Sequence, residues 1–188
     1  DIPMDDMLAQ GQDIAQTVLE RLRQIEGLED VPIMIALYRE QEQASPVPGN
    51  YVAKTLVEGN DMTINDWQNT NEEYVLFPSD SAKQAYFDDY EIMNSFGNEI
   101  SEYFPNYVGY IGEGFYINED LNRLSIEVPI QFYSKGEILG FTQYTYGLVM
   151  KLFPNYYDLE IKVTADGQVE SLIYREAGEE EPVVHIMH

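Results

Sequence analysis

The fold is decided by residues 157–175, which read YDLEIKVTADGQVESLIYR. Apolar and polar side chains alternate on both sides of Asp166-Gly167, which is typical of strands with one buried and one solvated face. The Asp-Gly pair favours the two-residue type I′ turn that joins antiparallel strands. We therefore predict a β-hairpin formed by residues 157–164 and 168–175.

Outward from this hairpin, helical and strand patterns alternate along the chain. The predicted helices span residues 4–26, 79–104 and 137–153, and the further strands span residues 32–39, 51–58, 72–77, 107–118, 121–133 and 183–187. This order is typical of an α+β fold. We expect three helix–strand–strand units that give a mostly antiparallel sheet packed by helices, and a single domain over residues 1–188.

The tetrapeptide FPNY occurs twice, at residues 104–107 and 153–156, each time where a predicted helix ends. Proline ends a helix because it has no N–H group to continue the hydrogen-bond ladder. The repeat of this motif is compatible with an internal duplication of helix–strand–strand units. A helix stop that is used twice explains it more simply.

Two further details of the pattern predict local structure. Residues 121–133 alternate between apolar and polar side chains, but Pro129 cannot donate to a sheet, so an edge strand or a bulge is expected there. Leu124, Ile126, Val128, Ile130 and Phe132 should share the buried face. In the third helix, Gly140 and Gly147 lie on one side and should allow close approach to the sheet.

The composition excludes several functional classes. The chain has 34 acidic and 10 basic residues, a net charge of −24, no cysteine and two histidines. Because such an acidic surface repels nucleic acid and anionic lipid, we expect no nucleic-acid partner. Thiol catalysis, disulfides and cysteine-ligated zinc require cysteine. Both histidines lie close to the C-terminus, a poor place for the base of a Ser-His-Asp triad.

The motifs that resemble cofactor sites are incomplete. Residues 109–115, GYIGEGF, lack the order and the following helix of a dinucleotide-binding loop, and their glycines fit a strand that is bent or closely packed. Asn118, Asp120 and Asn122 have the spacing of a calcium loop but lack its glycine and its final glutamate. We therefore expect no cofactor and no metal.

Glu113 and Glu127 are the candidate catalytic residues. Glu113 lies among Tyr110, Phe115 and Tyr116, and apolar surroundings raise the pKa of a carboxyl group, as a glycosidase acid requires. Glu127, on the neighbouring predicted strand, is its natural partner. An exposed glutamate on a solvated sheet face is the simpler interpretation of Glu113.

Tyrosine is abundant, with fifteen residues in the chain. Tyrosine side chains combine an apolar ring with a hydroxyl and often bind carbohydrate or peptide. Tyr110 and Tyr116, on either side of Glu113, are therefore the candidate binding residues. Most tyrosines of a small α+β domain nevertheless line its core.

Three segments resemble the CamS family of Gram-positive lipoproteins, the sex pheromone precursors. They are residues 130–135 with 137–144 (IQFYSK and EILGFTQY), residues 112–115 (GEGF), and residues 172–176 with 182–186 (LIYRE and PVVHI). The resemblance implies a cell-surface lipoprotein whose precursor has a signal peptide and a lipidated cysteine. The pheromone peptide of such precursors is excised from the signal region, so this chain would be the C-terminal part of the mature protein.

These observations favour a non-catalytic extracellular domain with a binding or assembly role. Its contact with the membrane would be only through a lipid anchor outside this chain, and its ligand would come from the cell wall or be a peptide. Two alternatives remain: a carbohydrate- or peptidoglycan-active hydrolase that uses Glu113 and Glu127, and a module that binds a peptide along an open sheet edge. The sequence leaves the oligomeric state open.

Overall fold

The computed structural model describes residues 3–104, 107–131 and 134–187. The chain divides into two compact units, Asp1–Glu72 and Glu73–His188. The interpretation of the whole chain as a single domain stays a prediction.

The first unit is a helix with a small sheet. Helix α1 (Met4–Leu22) precedes strands β1 (Ile33–Arg39), β2 (Asn50–Val57) and β3 (Gln68–Asn69), which pair in the order β1-β2-β3. Both pairings are antiparallel. Ala15 and Leu19 are the buried residues of the helix. The sequence pattern did not indicate β3, because two residues are too short for any periodicity.

Helix α1 is four residues shorter at its C-terminus than the apolar pattern predicts. It ends at Leu22, and Arg23 follows with only 5% of its surface exposed. The guanidinium group donates to the carbonyl oxygens of Leu28 at 2.8 Å and Val31 at 2.6 Å. Because a buried charge needs such partners, Arg23 holds the chain that follows α1 in a turn.

The second unit contains the main sheet and three helices. Its elements are β4 (Glu72–Phe77), α2 (Asp80–Ala85), α3 (Phe87–Tyr103), β5 (Ile111–Ile117), β6 (Asp120–Pro129), α4 (Lys135–Leu152), β7 (Asp158–Ala165), β8 (Gln168–Arg175) and β9 (Val183–Ile186). The strands pair in the order β4-β5-β6-β7-β8-β9. The α+β class predicted from the sequence is confirmed.

Of the pairs in this sheet whose register is defined, β5–β6, β7–β8 and β8–β9 are antiparallel and one is parallel. Strands β6 and β7 pair in parallel, and a parallel pair needs a long crossover connection, which α4 supplies. The β7–β8 hairpin is confirmed: Asp166 and Gly167 have φ values of 48° and 76°, as a type I′ turn requires. The three expected helix–strand–strand units are present, and so are β4 and β9, which the sequence predicted outside them; β3 is the strand that it did not predict.

One face of the six-stranded sheet forms the core together with the helices. Leu124, Ile126 and Val128 of β6 are at most 2% exposed. They pack in one cluster with side chains of α3 and α4, including Phe96 and Phe141. The buried position of alternate β6 residues follows the predicted pattern up to Ile130, whereas Phe132 lies outside the described residues.

The predicted helix of residues 79–104 is two helices, because the chain leaves the helical conformation at Tyr86. Its backbone has φ −132° and ψ 61°. In this position the Tyr86 ring stacks on Tyr116, with centroids 3.7 Å apart, and its hydroxyl donates to Glu73 at 2.9 Å. These contacts hold Tyr86 between α2 and α3, and helical periodicity alone does not reveal such a break.

The prediction for Pro129 was wrong. Strand β6 pairs with β5 on one side and with β7 on the other, so it is not an edge strand. Pro129 is its last residue, and the irregularity between β5 and β6 lies at Phe115 and Tyr116. Pro129 removes little from the ladder, because the pairing with β5 already ends at Glu127 and the N–H of Ile130 still donates to Thr164 at 2.8 Å. Pro105 and Asn106 of the first FPNY motif lie outside the described residues.

The glycines that allow close packing are in the sheet and not in the third helix. A Cβ atom at Gly140 or Gly147 would meet nothing within 4 Å, so the prediction for these two residues was wrong. At Gly112 a Cβ atom would lie 2.6 Å from the Met93 side chain, and at Gly114 it would lie 2.8 Å from the Tyr116 ring. The glycines of the GYIGEGF segment therefore let neighbouring side chains pack against β5, as the sequence indicated.

Candidate binding site on the open sheet face

The second face of the six-stranded sheet carries polar side chains in register. Residues that pair directly across strands have Cβ atoms about 4.5–5.5 Å apart, so the pairing of β5, β6, β7 and β8 defines three rows. The rows are Phe115, Arg123 and Asp158; Glu113, Ser125, Glu160 and Tyr174; and Ile111, Glu127, Lys162 and Leu172. We call this surface the open face.

A depression of about 410 Å³ lies in the first two rows and extends into the third. Its volume is within the range of small-ligand pockets, which is about 300–1,000 Å³. Acidic, basic and hydroxyl side chains line it: Glu113, Arg123, Ser125, Asp158, Glu160, Lys162 and Tyr174. Such a lining suits a polar ligand better than an apolar one.

The middle of the depression is a connected polar group. Glu160 accepts from Lys162 at 2.6 Å and from the Ser125 hydroxyl at 3.1 Å. Burial favours a raised pKa for the Glu160 carboxyl, but the hydrogen bonds from Lys162 and Ser125 and the charges of Lys162 and Arg123 together hold the pKa below its ordinary value. Glu160 and Lys162 therefore neutralise each other, and neither offers an uncompensated charge.

The rim holds a cation that is not paired in this way. The guanidinium of Arg123 lies over the Phe115 ring at 5.6 Å, and Phe115 contacts Tyr74 with centroids 4.8 Å apart. Asp158 is the direct neighbour of Arg123 across the strands, yet no ion pair joins them. Asp158 instead accepts from the backbone N–H of Ala177 at 2.8 Å. Within the described residues Arg123 has no hydrogen-bond acceptor, so its donors face solvent.

Glu113 and Glu127, the candidate catalytic pair, lie on the same face of adjacent strands. Glu113 pairs with Ser125, two residues before Glu127, so the two glutamates are diagonal neighbours at about 7–8 Å between backbones. Glu127 accepts from the hydroxyl of Thr164 at 3.0 Å and does not line the depression. The catalytic role of the pair stays a prediction.

Tyr116, one of the candidate binding residues, is part of the core. It is 1% exposed, and its hydroxyl donates to Asp89 at 2.8 Å. Burial, and then the hydrogen bond to this carboxylate, raises the pKa of the Tyr116 hydroxyl. Burial also raises the pKa of Asp89, against the opposing effect of the hydrogen bond from Tyr116. These contacts give Tyr116 a packing role, and its binding role stays a prediction.

Tyr110, the second candidate, is half-buried beside α3. Its ring contacts Phe96 with centroids 6.0 Å apart, and a Cβ atom at Gly97 would lie 2.6 Å from it. Burial raises the pKa of its hydroxyl to about 12. Tyr110 does not line the depression, and its binding role also stays a prediction.

Sequence reasoning missed most residues that line the depression. Glu113 was singled out, but Arg123, Asp158, Lys162 and Tyr174 were not. The signal was present in the polar positions of the alternating strands. What the pattern does not contain is the strand order and register, which bring side chains from four strands into one place.

In residues 3–104, 107–131 and 134–187, no group of three or more histidine, cysteine, aspartate or glutamate side chains is arranged to hold a metal ion. Within the same ranges, no helix combines the length and the apolar character that crossing a membrane requires.

The second unit defines a class of protein: an α+β domain whose sheet has one face covered by helices and one open, charged face. The family follows from the sequence. The chain belongs to the CamS sex pheromone cAM373 precursor family, whose model matches residues 1–181. The resemblance found in the sequence is confirmed.

Solved structures of sex pheromone precursors share this fold. The C-terminal domain of the staph-cAM373 precursor from Staphylococcus aureus is 26% identical with a TM-score of 0.88, over 100% of this chain and 57% of that chain. The precursor from Lactobacillus salivarius subsp. salivarius is 28% identical with a TM-score of 0.91, over 100% of this chain and 55% of that chain. The chain thus spans a little over half the length of these two structures. No curated protein sequence matches it.

Proposed function

We propose that this chain is a non-catalytic extracellular domain of a lipid-anchored surface protein and that it binds a polar ligand on the open face. The observation that carries the proposal is the 410 Å³ depression, at whose rim Arg123 has no acceptor among the described residues. Membership of a sex pheromone precursor family supports the surface location.

The charge of the depression favours binding over a purely structural role. The structural arginines Arg23 and Arg175 donate to backbone carbonyl oxygens, whereas Arg123 lies over Phe115 and donates to no acceptor among the described residues. The depression also contains Arg123 and Lys162, two of the ten basic residues in a chain with net charge −24. Because Glu160 neutralises Lys162, Arg123 is the cation of the depression that could pair with an anionic group of a ligand.

Binding is tested by NMR on the 15N-labelled chain, with titration of soluble cell-wall fragments, short peptides and saccharides. We expect amide shifts in β5 to β8 on the addition of at least one ligand class, and their loss in Arg123→Ala. Lys135→Ala is the matched control, because it removes the same charge from an exposed helical position. Shifts that are confined to other strands, or that are equal in Arg123→Ala, would contradict the proposed site.

The anchoring is tested on the full-length protein in its own bacterium. Metabolic labelling with a fatty acid, followed by detergent phase partition, should place the protein in the detergent phase. Replacement of the lipid-attachment cysteine should move it to the aqueous phase. Full-length protein that carries no fatty acid and remains in the cytosol would contradict the proposed location.

A hydrolase is the second candidate, and the observation that favours it is the position of Glu113 and Glu127 on one face of adjacent strands. Their backbones are about 7–8 Å apart, from which two glutamate side chains can bring their carboxyl groups to the separation of about 6.5–9.5 Å that inverting enzymes use. Release of reducing sugar from purified cell wall that disappears in both Glu113→Gln and Glu127→Gln would support this candidate. Release by neither the wild type nor the variants would leave the binding function.

A further inference from the structure

We infer that the depression on the open face binds a zwitterionic di- or tripeptide, whose carboxylate pairs with Arg123 and whose amino group pairs with Glu113. This inference names the ligand class for the proposed binding function and rests on that function. It is carried by the positions of these two charged residues, by the neutral group between them and by the spacing of the backbones that bear them.

Arg123 is prepared to bind a carboxylate. A guanidinium presents five donors in a planar fork that matches the two oxygens of a carboxylate. The Phe115 ring lies under it at 5.6 Å, and Tyr74 packs against the same ring. This aromatic support orients the guanidinium over the face of the sheet while its N–H groups have no acceptor among the described residues.

Glu113 supplies the opposite charge. Its side chain is half-buried in β5, and in the described part of the chain it accepts no hydrogen bond and forms no ion pair. The oxygen atoms of Glu113 can therefore accept from an ammonium group. The hydroxyl of Tyr174, in the same row, also lacks a partner within the described ranges and can bond a peptide amide.

The groups between these charges are already satisfied. Ser125 and Lys162 both donate to Glu160, so the centre of the depression is polar but nearly neutral. A peptide bond, which is polar and uncharged, is complementary to this centre. The two ends of the ligand would then lie over the two unpaired charges.

The distance agrees with a short peptide. Glu113 and Arg123 are diagonal neighbours, because Glu113 pairs with Ser125 and Arg123 lies two residues before Ser125. Their backbones are thus about 7–8 Å apart. An extended chain spans at most about 3.3–3.6 Å per residue, so two residues cover about 7 Å and a third allows for the reach of the side chains.

Other ligand classes match the charges less well. A simple anion such as phosphate would pair with Arg123 but would meet the carboxylates of Glu113 and Asp158. A polyamine would pair with these carboxylates but would meet Arg123. A neutral saccharide would cover both kinds of charge and pair with neither, which costs free energy because charged groups lose their water without compensation.

The inference is tested by NMR titration of the 15N-labelled chain with four probes: alanyl-alanine, its N-acetyl derivative, its C-terminal amide and the neutral disaccharide chitobiose. We expect alanyl-alanine to shift amides of β5 to β8 with a millimolar dissociation constant. Each blocked peptide should bind at least about tenfold more weakly, as expected for the loss of a charge-assisted hydrogen bond.

The variants assign each end of the peptide. In Arg123→Ala, alanyl-alanine and its amide should bind equally weakly. This variant should still bind alanyl-alanine more tightly than the N-acetyl derivative. In Glu113→Gln, the free and acetylated peptides should bind equally, whereas preference for the carboxylate should remain. Lys135→Ala should behave as the wild type does.

The outcomes separate the ligand class from the binding function. If chitobiose or a blocked peptide binds to β5–β8 as tightly as alanyl-alanine, and Arg123→Ala weakens that binding, the zwitterion is overturned while the binding function stands. If no probe or cell-wall fragment shifts the open face, both are overturned. If Arg123→Ala still prefers alanyl-alanine to its amide as the wild type does, or Glu113→Gln still prefers it to the acetylated peptide, the assignment of the two ends would be overturned.

Discussion

The two faces of the six-stranded sheet each carry an arginine, and the two arginines differ in burial and in hydrogen bonding. Arg175 of β8 lies on the buried face, is 3% exposed, and donates to the carbonyl oxygens of Phe153 and Pro154. Arg123 of β6 lies on the open face over Phe115 and bonds no described residue. A buried guanidinium can find acceptors only inside the protein, whereas the donors of an exposed one remain available to a ligand.

This comparison suggests that, within one strand, the residues of the buried face serve stability and those of the open face serve ligand binding. In β6, Leu124, Ile126 and Val128 point into the core, and Arg123, Ser125 and Glu127 alternate with them on the open face. If this division is correct, substitutions on the buried face lower stability, and those on the open face change ligand binding with little effect on stability.

The largest expected effect is that of Ile126→Ala on the buried face. Ile126 is 0% exposed, and truncation of a buried isoleucine to alanine costs about 2–5 kcal/mol through lost burial and a cavity. Ser125→Ala, one residue away on the open face, should cost less than about 1 kcal/mol. Urea unfolding of both variants measures the difference. Equal losses would break the division between the faces.

The next largest effect is the difference in unfolding free energy between variants of Arg175 and Arg123. Arg175→Met should lower the free energy of unfolding by about 1–3 kcal/mol, because two buried carbonyl oxygens lose their donor. Arg123→Met should lower it by less than about 0.5 kcal/mol. Thermal and urea unfolding would show the contrast. An Arg175→Met protein as stable as the wild type would contradict the structural role of this residue.

Asp89 gives a pH dependence of known sign. Burial raises its pKa above the ordinary value of 3.8, so the folded protein binds this proton more tightly than the unfolded chain does. The stability that this group contributes is complete below pH 3.8 and is lost as the pH rises through the raised value. The stability of the wild type relative to Asp89→Asn should therefore fall between pH 3 and pH 7. A rise over this interval would show that the hydrogen bond from Tyr116 dominates.

The smallest effect is expected for the ion pair in the depression. Lys162 and Glu160 are 2.6 Å apart, but their side chains are 41% and 30% exposed. Partly exposed pairs contribute about 0–1 kcal/mol, and salt screens them. Lys162→Ala should therefore cost less than about 1 kcal/mol at low salt and less still in 1 M NaCl. A loss as large as that of Ile126→Ala would place this pair among the structural residues.

The sequence predicted those parts of the fold that depend on local pattern. The β7–β8 hairpin follows from Asp166-Gly167, and the two faces of β6 follow from its alternation. The end of α1 and the break at Tyr86 depend instead on side chains that bond distant groups. Arg23 bonds carbonyl oxygens beyond the helix, and Tyr86 stacks on β5. Helical periodicity carries no information about such contacts.

The candidate site was less predictable than the fold. Glu113 could be selected from its own neighbours in the sequence, but the other charged groups that line the depression come from β6 and β7. Arg123 and Asp158 are 35 positions apart along the chain and become neighbours only through the parallel pairing of these strands. Local pattern does not specify this pairing, because it requires the crossover through α4.

The central claim is that Arg123 serves ligand binding and Arg175 serves stability. The most direct test measures alanyl-alanine affinity and unfolding free energy together in Arg123→Met and Arg175→Met. We predict that Arg123→Met loses about tenfold in affinity and keeps its stability, and that Arg175→Met loses stability and, where folded, keeps its affinity. Unchanged affinity in Arg123→Met, or a loss of stability equal to that of Arg175→Met, would contradict the account.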